Sequence, residues 1–142
     1  MSFDPPPLVP ELDVLNLAAS LAVYTGVFGF SLYARRPAEG FAYLIRETAH
    51  MMLQEAEGPG RRFRTAPLER PLGRGINFQI RVSDADTLYQ TVLRSSLSVV
   101  IPLEMRWYRH GTVEYGNRQF VVADPDGYLL RFAQSLGERI EK

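Results

Sequence analysis

The chain has 142 residues, no cysteine, and sixteen basic side chains balanced by sixteen acidic ones, for a formal net charge of zero. Without cysteine there is no disulfide framework, no thiolate nucleophile and no zinc–thiolate centre. A neutral chain lacks the field that gathers nucleic acid or an anionic lipid surface, and no stretch approaches the run of about 20 apolar residues that spans a bilayer.

A single domain of residues 1–142 is therefore expected, cytoplasmic, binding neither nucleic acid nor membrane. It opens on "MSFDPPP", whose consecutive prolines fix φ and lack donors, so an extended arm is predicted. In "LVPELDV" Leu8, Leu12 and Val14 share one parity and Val9, Glu11 and Asp13 the other, the two-residue period of a strand packed on one face. "NLAASLAVYTGVFGF" shifts to helical spacing through Leu17, Leu21, Tyr24 and Phe28, with Asn16 as N-cap and Gly26 and Gly29 as the exit. Strands are predicted at "FSLYARR", "GFAYLIRE" and "AHMMLQE", the last two joined as a hairpin around Glu47 and Thr48.

"EGPGRRFRTAPLERPLGRG" has no period and reads as a solvated linker; its arginines 61, 62, 64, 70 and 74 are an alternative site for an anionic partner. The pattern then restarts. "INFQIRV" alternates Phe78, Ile80 and Val82 against Asn77, Gln79 and Arg81, and "SDADTLYQTVL" is a helix capped by Ser83 or Asp84, with Ala85, Leu88, Tyr89 and Val92 on one face. "SVVIPLEMRWYRHGTVEY", "RQFVVAD" and "YLLRFAQ" follow, the last two closed by the Asp124-Pro125-Asp126-Gly127 turn.

Sliding "VPELDVLN" by 68 residues lays it on "NFQIRVSD", and sliding "FAYLIRETAHMMLQ" by 79 lays it on "FVVADPDGYLLRFA". The predicted fold is α+β: two βαβββ modules, residues 8–56 and 74–135, joined by a linker at 57–73 and followed by a short C-terminal tail. One helix per four strands covers one face of each sheet and leaves the other to solvent, a partner or a ligand. Parity in "YLLRF" puts Leu130 and Phe132 against the helix and Leu129 and Arg131 on the open face, where Arg131 either lines a site or is an ordinary surface charge.

"NLAASLAVYTGVFGF", "IRVSDADTLY" and "GNRQFVVADPDGYLLRF", in this order and with the internal repeat, resemble the vicinal oxygen chelate superfamily, within it the glyoxalase/bleomycin-resistance/dioxygenase group. The resemblance covers residues 8–134 and implies a curved mixed sheet, its two modules in pseudo-twofold arrangement around a concave cup. Metal-dependent members carry four ligands there, at positions that fall on Val9, near Met52, on Asn77 and on Arg131. A hydrocarbon, a thioether, an amide and a guanidinium do not make a catalytic divalent-metal site, so neither metal nor cofactor is expected. The two histidines do not rebuild one: His50 shares Met52's parity but lacks a matching second ligand, and His110 precedes Gly111 in a predicted turn.

The resemblance is to the metal-free bleomycin-resistance type, whose members set an aromatic ring ahead of the final hairpin. Tyr115 matches that place and Trp107 is a second candidate; the competing role for both is core or interface packing. The expected ligand-binding set is Glu11, Asp13, His50, Met52, Asn77, Trp107, Tyr115 and Arg131, with no catalytic residue. These would hold a small molecule in the cup or in a crevice of a homodimer. The resemblance implies acidic crevices for a cationic glycopeptide, whereas Glu11 and Asp13 are here offset by Arg81 and Arg131. The alternatives are a glyoxalase-type lyase or dioxygenase with a displaced metal site on His50 and Glu11 or Asp13, and metal-free acid–base catalysis by one of those carboxylates.

Overall fold

A computed structural model describes residues 3–140, so Met1 and Ser2 of the arm and the last two residues of the tail lie outside the described residues. The chain divides between Arg70 and Pro71 into two compact units. Each is a four-stranded mixed sheet with one helix, and together they give the α+β fold of two βαβββ modules that the sequence predicts.

In the first unit β1 (Glu11–Val14) leads into α1 (Leu17–Gly26), then β2 (Ser31–Arg36), β3 (Phe41–Arg46) and β4 (Ala49–Glu55). The strand order is β1-β4-β3-β2, with β1 parallel to β4 and the rest antiparallel. Asn16 caps α1 by accepting the Ala19 N–H at 3.0 Å. The helix ends at Gly26, so Phe28 lies beyond it, and the buried stripe is Leu17, Ser20 and Tyr24. Leu12, Val14, Leu44 and Leu53 complete the core on the helix side.

In the second unit β5 (Asn77–Arg81), α2 (Ala85–Leu93), β6 (Val99–His110), β7 (Val113–Ala123) and β8 (Leu129–Ile140) repeat the plan, in the order β5-β8-β7-β6 with β5 parallel to β8. Asp84 is the N-cap, accepting the Thr87 N–H at 3.0 Å. Ala85, Leu88 and Val92 pack toward Phe120, Leu130 and Phe132. The segment from Ser98 to Tyr115 is most of a long hairpin turning at Gly111, whose φ of 67° suits glycine. The last strand runs on to Ile140, past the Gln134 at which the sequence pattern stops.

The repeat holds in the pairing itself. Glu11 faces Met52 across β1–β4, and the residues 68 and 79 positions on, Gln79 and Arg131, face each other across β5–β8. It slips by one residue in the neighbouring strand. Gln54 pairs with Phe41, but its counterpart Ala133 pairs with Gln119, not with Phe120 as the 79-residue slide predicts. The cause is the connection. The β3–β4 loop is the two residues Glu47 and Thr48, with Glu47 at φ 52°, whereas the β7–β8 loop runs from Asp124 to Tyr128. There Asp124 Oδ1 accepts the backbone N–H groups of Asp126, Gly127 and Tyr128 at 2.9, 3.0 and 3.0 Å.

Candidate binding pocket

The two non-helical sheet faces are treated differently by the chain. In the first unit neighbouring segments partly cover the face that carries Asp13, His50 and Met52, while Glu11 on the same face stays exposed. Phe3 of the arm stacks on Tyr33 with ring centroids 4.7 Å apart, meets Tyr43 edge-on at 5.0 Å and lies 6.1 Å from His50. His50 Nδ1 is 2.8 Å from the Tyr43 hydroxyl. The linker folds back as well: Arg64 Nε donates to Asp13 Oδ2 at 3.1 Å, and Arg62 and Arg64 both donate to the Ala56 carbonyl. That part of the linker is thus bound to its own sheet, where sequence alone predicts a solvated loop. Burial raises the Glu11 carboxyl above its ordinary pKa, Asp13 adds to the rise, and Arg36 opposes it.

In the second unit the corresponding face is open and concave, with a cavity of about 540 Å³. Cross-strand partners share a face, so the register fixes its floor. Gln79 pairs with Arg131, and Arg131 in turn with Val121; one step along, Arg81 pairs with Ala133 and Ala133 with Gln119. Beyond the end of β5, Asn117 pairs with Ser135, and Tyr108 with Tyr115. Ala133, Ser135 and the backbone of Gly116 are small, and that leaves the hollow between the two arginines and the two phenol rings. His110 closes one end, its ring 4.9 Å from that of Tyr115 in an edge contact.

The charges in this hollow are uneven. The lining holds Arg81, Arg131 and His110 and no carboxylate. Arg131 Nε is buried with no hydrogen-bond partner among the described residues. The carboxylates on the same face are engaged beside it. Glu104 Oε2 accepts from Gln119 Nε2 at 3.1 Å, and Gln119 also reaches the Tyr108 hydroxyl at 2.5 Å. The Tyr115 hydroxyl is hydrogen-bonded to Glu138, which raises the Tyr115 pKa first through that bond and then through the charge.

Of the residues singled out from sequence, Arg131 and Tyr115 line this hollow, and Asn77 shares its face two positions before Gln79. Trp107 lies across the sheet from Tyr108: its ring covers Gly116 and carries the Arg139 guanidinium 4.0 Å above it. Glu11, Asp13, His50 and Met52 stand together on the first sheet. Gln79, Tyr108, His110, Asn117 and Ser135 join the lining without having been chosen. Extending the parity of "RWYRH" and "VEYGN" from Tyr115 across a turn at Gly111 selects Tyr108, His110 and Asn117.

A family model described as the Glyoxalase/Bleomycin resistance protein/Dioxygenase superfamily matches residues 11–132. The chain belongs to that superfamily. Among its relatives is the bleomycin resistance protein of Geobacillus stearothermophilus, 28% identical over 137 residues, covering 90% of this chain and 96% of that protein. Two solved structures share the glyoxalase-superfamily fold. TioX from Micromonospora sp. ML1 has a TM-score of 0.69 and 24% identity, with 91% of this chain and 98% of that one covered. TnmS3, an antibiotic binding protein from Streptomyces sp. CB03234, has a TM-score of 0.63 and 19% identity, with 89% and 93% covered.

The positions at which the resemblance implies metal ligands, Val9, near Met52, Asn77 and Arg131, offer no set of donors suited to a divalent ion. Arg131 has no lone pair to offer, Val9 precedes β1 and has no donor atom, and Asn77 is an exposed amide. Among the described residues no group of three or more His, Asp or Glu is gathered to hold an ion. No helix is long and apolar enough to cross a membrane.

Proposed function

We propose that the protein captures a planar small molecule, of the antibiotic class, in the hollow of its second unit, and does so without a metal and without making or breaking a bond. The observation that carries this reading is the orphaned Arg131 Nε at the floor of a cavity of about 540 Å³ walled by Tyr108 and Tyr115. A concave site with an apolar wall and a few convergent polar groups orients a ligand, and its volume falls within the range for drug-sized molecules. The name of the Geobacillus relative supports a drug as that ligand. The lining offers no carboxylate to act as general base and no pair of groups arranged as nucleophile and activator, which favours capture over catalysis.

The protein acts as a homodimer in the cytoplasm on this reading. The exposed Val100, Ile101 and Met105 on β6, at the edge of the second sheet, are the surface a second copy would cover. Asn77, at the rim of the same face, contributes orientation.

Native mass spectrometry of protein purified from its host, without chelator, tests the reading, with elemental analysis of the same sample. A retained organic molecule at one per chain, with no stoichiometric metal, is expected. A stoichiometric divalent metal, or turnover of the retained molecule, would overturn it.

A further inference from the structure

We propose that the ligand of the second unit is an aromatic acid, its carboxylate seated on Arg131 and Arg81 and its ring against Tyr108 and Tyr115. This rests on the reading of the hollow as a binding site and adds the charge of what it takes.

A guanidinium presents its donors in a planar fork that matches the two oxygens of a carboxylate. Arg131 lines the floor of the hollow and is half-buried, its Nε enclosed and without a hydrogen-bond partner among the described residues. Burying a donor without a partner costs stability, and more so when the group is charged. Around it the chain supplies neutral groups, Gln79 across β5–β8 and Val121 across β7–β8, where one carboxylate side chain would have satisfied it.

The second cation is placed to help. Arg81 stands on the same face of β5 two residues from Gln79, and its cross-strand partner is Ala133, a side chain too short to separate the two guanidinium groups. Arg81 is exposed, with no ion pair among the described residues. The acids of the face lie outside the lining, Glu104 turned to Gln119 and Glu138 to the Tyr115 hydroxyl, so neither is paired with Arg81 or Arg131 among the described residues. A cationic drug would meet Arg81 and Arg131 head-on, so the chain departs here from the charge preference that its resemblance implies.

The two phenol rings stand at the far end of the cavity, paired across β6 and β7. They offer apolar area at low entropic cost, with hydroxyl groups already engaged by Gln119 and Glu138.

The test uses three probes of one shape and different charge: 2-naphthoate, 2-naphthamide and 2-naphthylmethylammonium. Each is titrated into the full chain by calorimetry at pH 7, and the Arg131 Nε–H resonance is followed by nitrogen–proton NMR, assigned by its loss in Arg131→Met. Naphthoate is expected to bind at least 10-fold more tightly than the amide, with the ammonium weakest, and to move the Nε–H signal downfield. Arg131→Met should bring the acid and amide affinities together. Arg81→Gln, at an exposed position that does not threaten folding, should weaken the acid several-fold and leave the amide unchanged. Equal affinity of acid and amide, both insensitive to Arg131→Met, would overturn the anion inference and leave the pocket reading standing. Failure of all three probes to bind at millimolar concentration would overturn both.

Discussion

Gln134 Oε1 accepts the backbone N–H of Ala85 at 2.9 Å, closing the first turn of α2 from the middle of β8. The contact is duplicated in the first unit, where Glu55 Oε2 accepts the N–H of Leu17 at 2.9 Å from the end of β4. Both tie a helix N-terminus, with its orphan donors and partial positive charge, to the last strand of its own module. The repeat therefore conserves a device for fixing the helix to the sheet, beyond the order of elements.

Removing the acceptor should unfasten each helix separately. Gln134→Ala is expected to cost about 1 kcal/mol and Glu55→Ala about 2 kcal/mol, since the second bond is made to a charged acceptor. Denaturant titrations of the two variants check this. Equal stability of both variants and the parent would mean that the helices are held by their apolar faces and their N-caps, Asn16 and Asp84, without help from the strands' side chains.

Much of this arrangement is legible in sequence because it depends on short periods. The parities of "NFQIRV" and "YLLRF" put Gln79 and Arg131 on one face, and the β5–β8 pairing keeps them there. What escapes sequence is set by turns and by distant packing. Phe120 falls out of step with Phe41 because the two hairpin loops differ in length, which no periodicity reports. Trp107 and Tyr108 are neighbours of equal aromatic character, and choosing between them needs the register across the turn at Gly111, which the pairing of Trp107 with Gly116 and of Tyr108 with Tyr115 supplies. The arm and linker have no period at all, so the docking of Phe3 on Tyr33 and of Arg64 on Asp13 could come only from the folded chain.

Arg131 should be a liability in the empty protein. Its desolvated Nε has no partner among the described residues, and an unsatisfied buried donor costs about 1–3 kcal/mol. Arg131→Met keeps an apolar stem as far as the Nε position and removes that donor with the rest of the guanidinium, so a gain of about 1 kcal/mol is expected, a rise of roughly 2–4 °C in Tm for a chain of this size. Thermal unfolding of ligand-free protein is the measurement. A substantially lower Tm for the Met variant would show that the guanidinium is satisfied in solution.

Gly116 is held small by Trp107. A Cβ placed there would lie 2.7 Å from two atoms of the indole, inside any tolerable contact. Gly116→Ala is therefore expected to displace the ring from under Arg139 and to cost about 1–3 kcal/mol, the range for overpacking a filled site. Trp107 is the only tryptophan, so its fluorescence reports the displacement directly as a change in emission maximum. Trp107→Leu should remove most of the penalty of Gly116→Ala in a double-variant cycle, and additivity of the two costs would argue against this contact.

Glu11 gives a pH signature of opposite sign to that of most acid groups. Burial and the neighbouring Asp13 make its charged form less welcome in the folded chain than in the unfolded one, so its pKa lies above the ordinary value of 4.5. The unfolded chain then gives up this proton at lower pH than the folded one. The stability contributed by protonated Glu11 is complete below the unfolded value and is lost as pH rises through the folded one. Glu11→Gln cannot ionise, so it should match the parent at pH 3.5 and be the more stable of the two at pH 7. Paired unfolding curves at both values decide it. A parent more stable than the Gln variant at pH 7 would mean that the attraction of Arg36 outweighs burial and Asp13 together.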